Sequence, residues 1–472
     1  MGDNRNSDLL SRYEKMLRGE ANSYFDTEEF YDIASEYEYM GYMDDALRAV
    51  ENGLRFHPNT DILLAKRARY LLSLDRVDEA REMVIRVRID NEDSFFVKVG
   101  LLFNDSDFDE GIAKMRLWLE MPDITADRCI DALELSSDYE VVDLSLPMIL
   151  KYAERLPVRQ RRDMLEDFLS ILEEDGYMKE RCLVYEKILD MEPFSGNYWR
   201  EAFWAYMDAG NYAKAVEAID YAIAVSPDDS SLLCEKADCL FRMGDFRRAA
   251  DIISKNISRM EDKSYPYEIL AGCFTNMGNY MASDRVLDIA QEIYPDNYKY
   301  WYLRAENRLY SDDADYNKCI EYLKYALRIS PDDENVSLLL AKVYFKMEKY
   351  SDARALLGRL IDLNKADAKV YMLLGDVELK AGFPDMAIGY YKKALEFESF
   401  NADAFVKLVN AYSQVEDVEN MIKAIDELEL LIDSGQDKDG MNNDETVKGA
   451  KEIRKAIELI KSMLRNGMDG MI

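Results

Sequence analysis

A single histidine, His57, stands just before Pro58 in a turn. With one imidazole in the chain, neither a catalytic triad nor a zinc site can be assembled around it. The six cysteines are Cys129, Cys182, Cys234, Cys239, Cys273 and Cys319. None forms a C-x-x-C pair, and all fall in helical patterns, at intervals that suit buried thiols better than a disulfide frame. A reducing, cytoplasmic setting is expected. Neither G-x-x-x-x-G-K-[ST] nor G-x-G-x-x-G occurs, so the usual phosphate cradles are missing. One stretch, SGQDKDGMNNDET at 434–446, places Asp437, Asp439 and Gly440 in the order of a calcium loop. With Gly440 sixth, Gly435 stands first and Thr446 twelfth, so the first carboxylate and the bidentate glutamate are both absent. It reads as an acidic linker. The chemistry on offer points away from an enzyme, a metal and a cofactor.

Charge narrows the partners. Among 472 residues, Lys+Arg number 60 and Asp+Glu 93, a net charge of −33. That balance repels nucleic-acid phosphates and anionic lipid. Hydrophobic residues make up 48%, enough to fold, and no run approaches the length of a membrane-spanning helix. The opening MGDNRNSDLLSRYEKML lacks the cationic and apolar regions of a secretory signal. Asn6 stands where a myristoylation pattern needs Ser or Thr.

The elements that hold these residues are written in a period. AIAVSPDD at 222–229 returns as ALRISPDD at 326–333. The stretch 196–229 shows apolar residues at three and four, a break at Gly210-Asn211, a second helical run, and a stop at Ser226-Pro227. This is one helix–turn–helix unit, and the frame slides along the chain. Units begin at Thr27, Asp61, Glu92, Ala126, Arg162, Gly196, Ser230, Ser264, Tyr298, Glu334, Ala368 and Ala402. The step after Tyr298 is longer, because SDDAD at 311–315 extends the inner turn.

Counted from Gly196 as position 1, the unit carries Trp199 at 4, Ala202 at 7, Phe203 at 8, Tyr206 at 11, Ala215 at 20, Ile219 at 24, Ala222 at 27 and Pro227 at 32. The series resembles the tetratricopeptide repeat (TPR). Position 8, where the two helices cross, is Ala34, Ala68, Ala237, Ala271, Ala305, Ala341 or Gly375 in other units. Position 20 is small in most of them. The likeness is strongest over 196–399. It weakens over 92–193, where position 8 becomes Val99, Leu133 and Leu169, and position 20 becomes Arg181. Pro147 also sits awkwardly there. The resemblance implies an all-α, right-handed α-solenoid superhelix of about twelve repeats, each pair covering the apolar face of its neighbour.

Four segments are expected: a capping segment over 1–26, acidic and partly irregular repeats over 27–195, a regular array over 196–435, and an acidic linker, capping helix and frayed tail over 436–472. The last includes Val447, Ala450, Ile453, Ile457, Ile460 and Leu464 on one helical face, read as a cap or, alternatively, a partner-binding helix.

The resemblance also implies that first helices line the concave side through positions 2, 5, 9 and 12. In the first five units these supply Glu28, Glu38, Asp93, Asp127, Glu134, Asp163, Glu166 and Glu173 against Arg69, a strongly negative wall. Later units supply Arg200, Trp204, Met207, Asp238, Phe241, Tyr302, Glu306, Lys342, Phe345 and Met372, the kinds of side chain that recognition surfaces favour. The expected partner is another protein, presenting a peptide or helix, a basic one included. Neither nucleic acid nor membrane is expected, and the chain should be a monomer or small oligomer. The two-carboxylate clamp that some TPR domains use for chaperone tails is not found in three successive units. The reading is a scaffold or adaptor. Its rivals are a self-assembling structural protein and an enzyme hidden in the irregular region over 92–193.

Overall fold

The computed structural model describes residues 3–20, 24–311, 313–399 and 401–434. The acidic linker and amphipathic helix expected over 436–472, with the calcium-like loop, lie outside the described residues. Within them are twenty-five α-helices, one short 3-10 turn and no strand. Two compact units form, Met1–Cys239 and Leu240–Ile472. Each is an α-solenoid of helix pairs, every pair packed on the next.

Eleven first helices start at the residue the period marks: Thr27–Tyr39, Asp61–Ser73, Glu92–Asn104, Ala126–Asp138, Gly196–Asp208, Ser230–Arg242, Ser264–Asn276, Tyr298–Tyr310, Glu334–Lys346, Ala368–Lys380 and Ala402–Gln414. Many carry a side-chain cap at the preceding residue. Asp26, Asn91, Ser195, Asp333, Asp367 and Asn401 each accept a bond from the backbone N–H three residues on, satisfying a donor that the helix leaves free.

The turn inside each pair explains why the two helices fold back. Position 15 takes a positive φ in eleven of twelve units: Gly41, Asp75, Ser106, Glu140, Gly176, Gly210, Gly244, Gly278, Glu348, Gly382 and Glu416. In the first unit the Gly41 N–H donates to the Glu38 carbonyl at 2.9 Å, and the Tyr42 N–H to the Tyr37 carbonyl at 2.9 Å. That is a Schellman cap, which ends a helix on a left-handed residue. Glycine is free there; Glu348, held at φ 59, is not. In the Tyr298 unit that position lies outside the described residues.

Small residues stand where partner rings arrive. A Cβ on Gly375 would come within 2.3 Å of the Tyr391 ring, and one on Gly111 within 2.4 Å of Phe103. The weakly matching stretch keeps the pairing but changes its details. Val99 and Leu133 are fully buried at position 8. The first helix expected at Arg162 begins instead directly after Pro157, as Val158–Glu174. Pro147 lies inside helix Val142–Ala153, removing one ladder hydrogen bond. Arg181 is buried at position 20, with its guanidinium 3.8 Å from Asp208 and 3.9 Å from Glu173.

Candidate interaction face

Positions 2, 5, 9 and 12 of a helix are spaced three, four and three apart, so they share one side. The two units use that side differently.

In the first unit, helices Thr27–Tyr39, Asp61–Ser73, Glu92–Asn104 and Ala126–Asp138 bring together a buried ionic network. Arg69 donates to both carboxylate oxygens of Asp131, each at 2.7 Å. Its guanidinium also lies 3.5 Å from Asp93 and 3.6 Å from Glu38. Lys66 Nζ donates to Glu38 Oε2 at 2.8 Å, and the Tyr70 hydroxyl reaches the same oxygen at 2.9 Å. Arg69 rests over the Phe96 ring at 4.4 Å, and Lys66 over Tyr31 at 4.8 Å. Burial alone would raise the Glu38 carboxyl, but Lys66 and Arg69 outweigh it and hold it below the ordinary range. At Asp93 burial prevails, and its carboxyl is raised. Two carboxylates expected on the open wall are therefore consumed by the stack.

The acidic character persists further along. Asp127, Asp131, Glu134 and Asp138 recur at four, three and four on helix Ala126–Asp138. Asp163, Glu166 and Asp167 lie on the neighbouring first helix, Val158–Glu174. Burial and then the charges of Glu166, Asp163 and Asp127 raise the Asp167 carboxyl. Burial and then Asp131 raise Glu134, and burial and then Asp175 raise Asp138. Cations reach part of this stripe: Arg69 takes Asp131, and Arg162 Nη2 donates to Asp163 at 3.0 Å. Most of its carboxylates stand exposed.

Helix Gly196–Asp208 places Trp204 at position 9, 38% exposed, with its ring edge-on to the buried Phe203 at 5.0 Å. Arg200 is held by Glu235 of the next first helix through two hydrogen bonds, one of 3.1 Å. Met207 and Asp238 are buried, 8% and 7% exposed. They pack in the stack instead of standing open on its face.

In the second unit, Phe241 is half-buried, edge-on to Phe246 at 5.3 Å. A Cβ on Gly272 would meet its ring at 3.1 Å, so the glycine makes room for it. Tyr302 donates to Glu306 Oε1 at 2.9 Å. Burial raises the Glu306 carboxyl, against the Tyr302 bond and Lys342, and pushes the Tyr302 phenol up. Lys342 is exposed and Phe345 half-buried, its ring 6.0 Å from Tyr350. Met372 is 8% exposed and belongs to the core. Charges on this face pair between neighbouring first helices: Lys299 with Glu268 at 2.9 Å, Lys407 with Asp376 at 2.8 Å.

Lys66, Tyr70 and Asp131 escaped the sequence reading because they stand at positions 6 and 10, outside the 2, 5, 9 and 12 set taken to line the face. A lysine written at such a position was the available signal. Burial pushes the Cys129 and Cys273 thiols up to about 12, away from the thiolate form. The arrangement can hold and orient another molecule.

Sequence profiles of the tetratricopeptide repeat match residues 200–255 and 312–377. The BBSome complex member BBS4 homolog of Drosophila melanogaster is 25% identical over 177 residues, 36% of this chain and 35% of its own length. A TPR repeat-containing protein of Methanocaldococcus jannaschii is 24% identical over 255 residues, 51% of this chain and 42% of its own. The chain thus spans less than half the length of either relative. The crystal structure of a tetratricopeptide repeat protein from Parabacteroides merdae superposes with a TM-score of 0.45 at 15% identity, over 53% of this chain and 98% of that one. Among the described residues, no helix is long and apolar enough to cross a membrane.

Proposed function

Because the chain is a tetratricopeptide-repeat protein, we propose that it is a cytoplasmic, non-enzymatic scaffold that binds a partner peptide or helix on its first-helix faces. The observation that carries the reading is Trp204. A large aromatic ring stands more than a third exposed at a position the stack does not need, beside a buried Phe203 that fixes its edge. Exposed aromatic anchors of this kind dominate binding energy when a partner covers them. In the same unit Arg200 is accessible; in the second unit the accessible set is Phe241, Tyr302, Glu306, Lys342 and Phe345. The acidic stripe over Asp127–Asp138 and Asp163–Asp167 favours a basic segment in the partner, through charge complementarity. The Drosophila relative is named as a member of a complex, which agrees with such a role.

Trp204→Ala tests it. Used as bait in native cell extract beside the parent chain, the variant is expected to lose its specific partner, at a cost of about tenfold or more in affinity. Its circular dichroism and melting temperature should hardly move. Retained capture, or collapse of the melting curve, contradicts the reading.

One observation favours a second reading, self-assembly. Met281, Ile289 and Ile293 stand exposed along one side of helix Tyr280–Ile293, at 72%, 52% and 51%, with Arg285 between the first two. Light scattering over a range of concentrations separates the two: a scaffold keeps its mass, an assembler grows.

A further inference from the structure

Cation–carboxylate rungs join neighbouring first helices. Lys299 closes on Glu268 at 2.9 Å and Lys407 on Asp376 at 2.8 Å. One rung between them in sequence is open. Glu306 on helix Tyr298–Tyr310 and Lys342 on helix Glu334–Lys346 both stand at position 9 of neighbouring repeats, and the ammonium acts electrostatically on the carboxyl. Yet among the described residues Glu306 makes no ion pair, and its one hydrogen bond comes from Tyr302 of its own helix, at 2.9 Å. Lys342 stands exposed. Tyr310, four residues on from Glu306, is 53% exposed and feels the same carboxylate. Leu338 and Phe345 flank Lys342 on its helix, both half-buried.

A partly buried carboxylate with one neutral donor keeps free lone pairs, and an unpaired buried charge is costly. A charged donor from outside would relieve it, with phenol rings beside it able to take a cation. Lys342 can move aside at little cost, because its ammonium is already in solvent. The chain's net charge of −33 draws basic segments toward it.

We propose that Glu306 is the specificity-determining residue of the second unit, receiving one Arg or Lys side chain of an otherwise apolar peptide whose neighbouring residues lie on Leu338 and Phe345. This rests on the scaffold reading above and names the chemistry of its partner.

The test is selection from a displayed library of random peptides against the full chain. The parent protein is expected to select peptides with a basic residue at one fixed place beside apolar ones. Glu306→Gln keeps an acceptor for Tyr302 and should therefore stay folded. It is expected to weaken a selected peptide by about tenfold or more and to lose the basic preference. Lys342→Ala, which removes a competing cation, should strengthen that preference. A basic preference undiminished in Glu306→Gln, or acidic peptides selected by the parent, overturns the proposal and leaves the scaffold reading standing. Peptides selected by no variant overturn both.

Discussion

The first-helix faces of the two units spend their charges differently. Near the start of the chain, Arg69 and Lys66 serve three carboxylates, Glu38, Asp93 and Asp131, in a network largely closed to water. In the second unit, Lys299 meets Glu268, and Lys407 meets Asp376 and Asp403, at a half-open surface. The contrast teaches how to read an acidic repeat protein. A wall charge closed into a network belongs to the stack. A carboxylate crowded by its own kind, as at Glu134, Asp138 and Asp167, stays exposed.

The sharpest way to break this comparison is to remove one cation from each unit. Arg69→Met leaves buried carboxylates uncompensated and should cost about 3–5 kcal/mol. Lys407→Met unpairs a half-open site and should cost below about 1 kcal/mol. Urea unfolding of both variants checks the difference. Equal losses would mean that the network is no more structural than the surface rungs.

A smaller effect compares two inner turns. Glu348 bears the left-handed conformation that Gly382 adopts freely one unit later. Glu348→Gly should gain about 1 kcal/mol, and Gly382→Glu should lose about as much, both read as shifts in thermal midpoint. Matching signs for the two would contradict the account of the turn.

The smallest effect is in pH. Glu134, Asp138 and Asp167 have folded-state values raised above those of the unfolded chain, first by burial and then by neighbouring carboxylates. The folded state therefore binds protons more readily, and the stability these groups lend is complete below their unfolded pKa and lost as pH rises through the raised value. Lowering the pH from neutral into the upper carboxylate range should raise the melting temperature slightly, while capture of a basic peptide weakens. Glu38 acts in the opposite sense: its lowered value contributes stability above its unfolded pKa, lost as pH falls through the folded one. Neutralising the stripe, with Glu134→Gln and Asp167→Asn together, should flatten the first response.

Much of the fold was legible because the period repeats a single solution. Thr27, Gly196 and Ala402 open their helices where the count places them. Helix Val158–Glu174 starts four residues ahead of the count, directly after Pro157, whose fixed φ and missing N–H suit a helix start. The candidate face was legible only as a set of positions. Trp204, Phe241 and Tyr302 keep some exposure, while Met207, Asp238 and Met372 are drawn inward. Which position stays open depends on how closely the next pair approaches, and that distance is written in several side chains at once. The network on Arg69 was invisible for the same reason: partners bonded within it lie up to 62 residues apart and meet only after stacking.

The central claim is that first helices, not second helices, carry the partner. Hydroxyl-radical footprinting of the full chain with and without its captured partner tests this most directly. The account predicts protection at Trp204, Phe241, Tyr302 and Phe345, with Tyr221 and Met281 on second helices left unchanged. Protection confined to the second helices would contradict it.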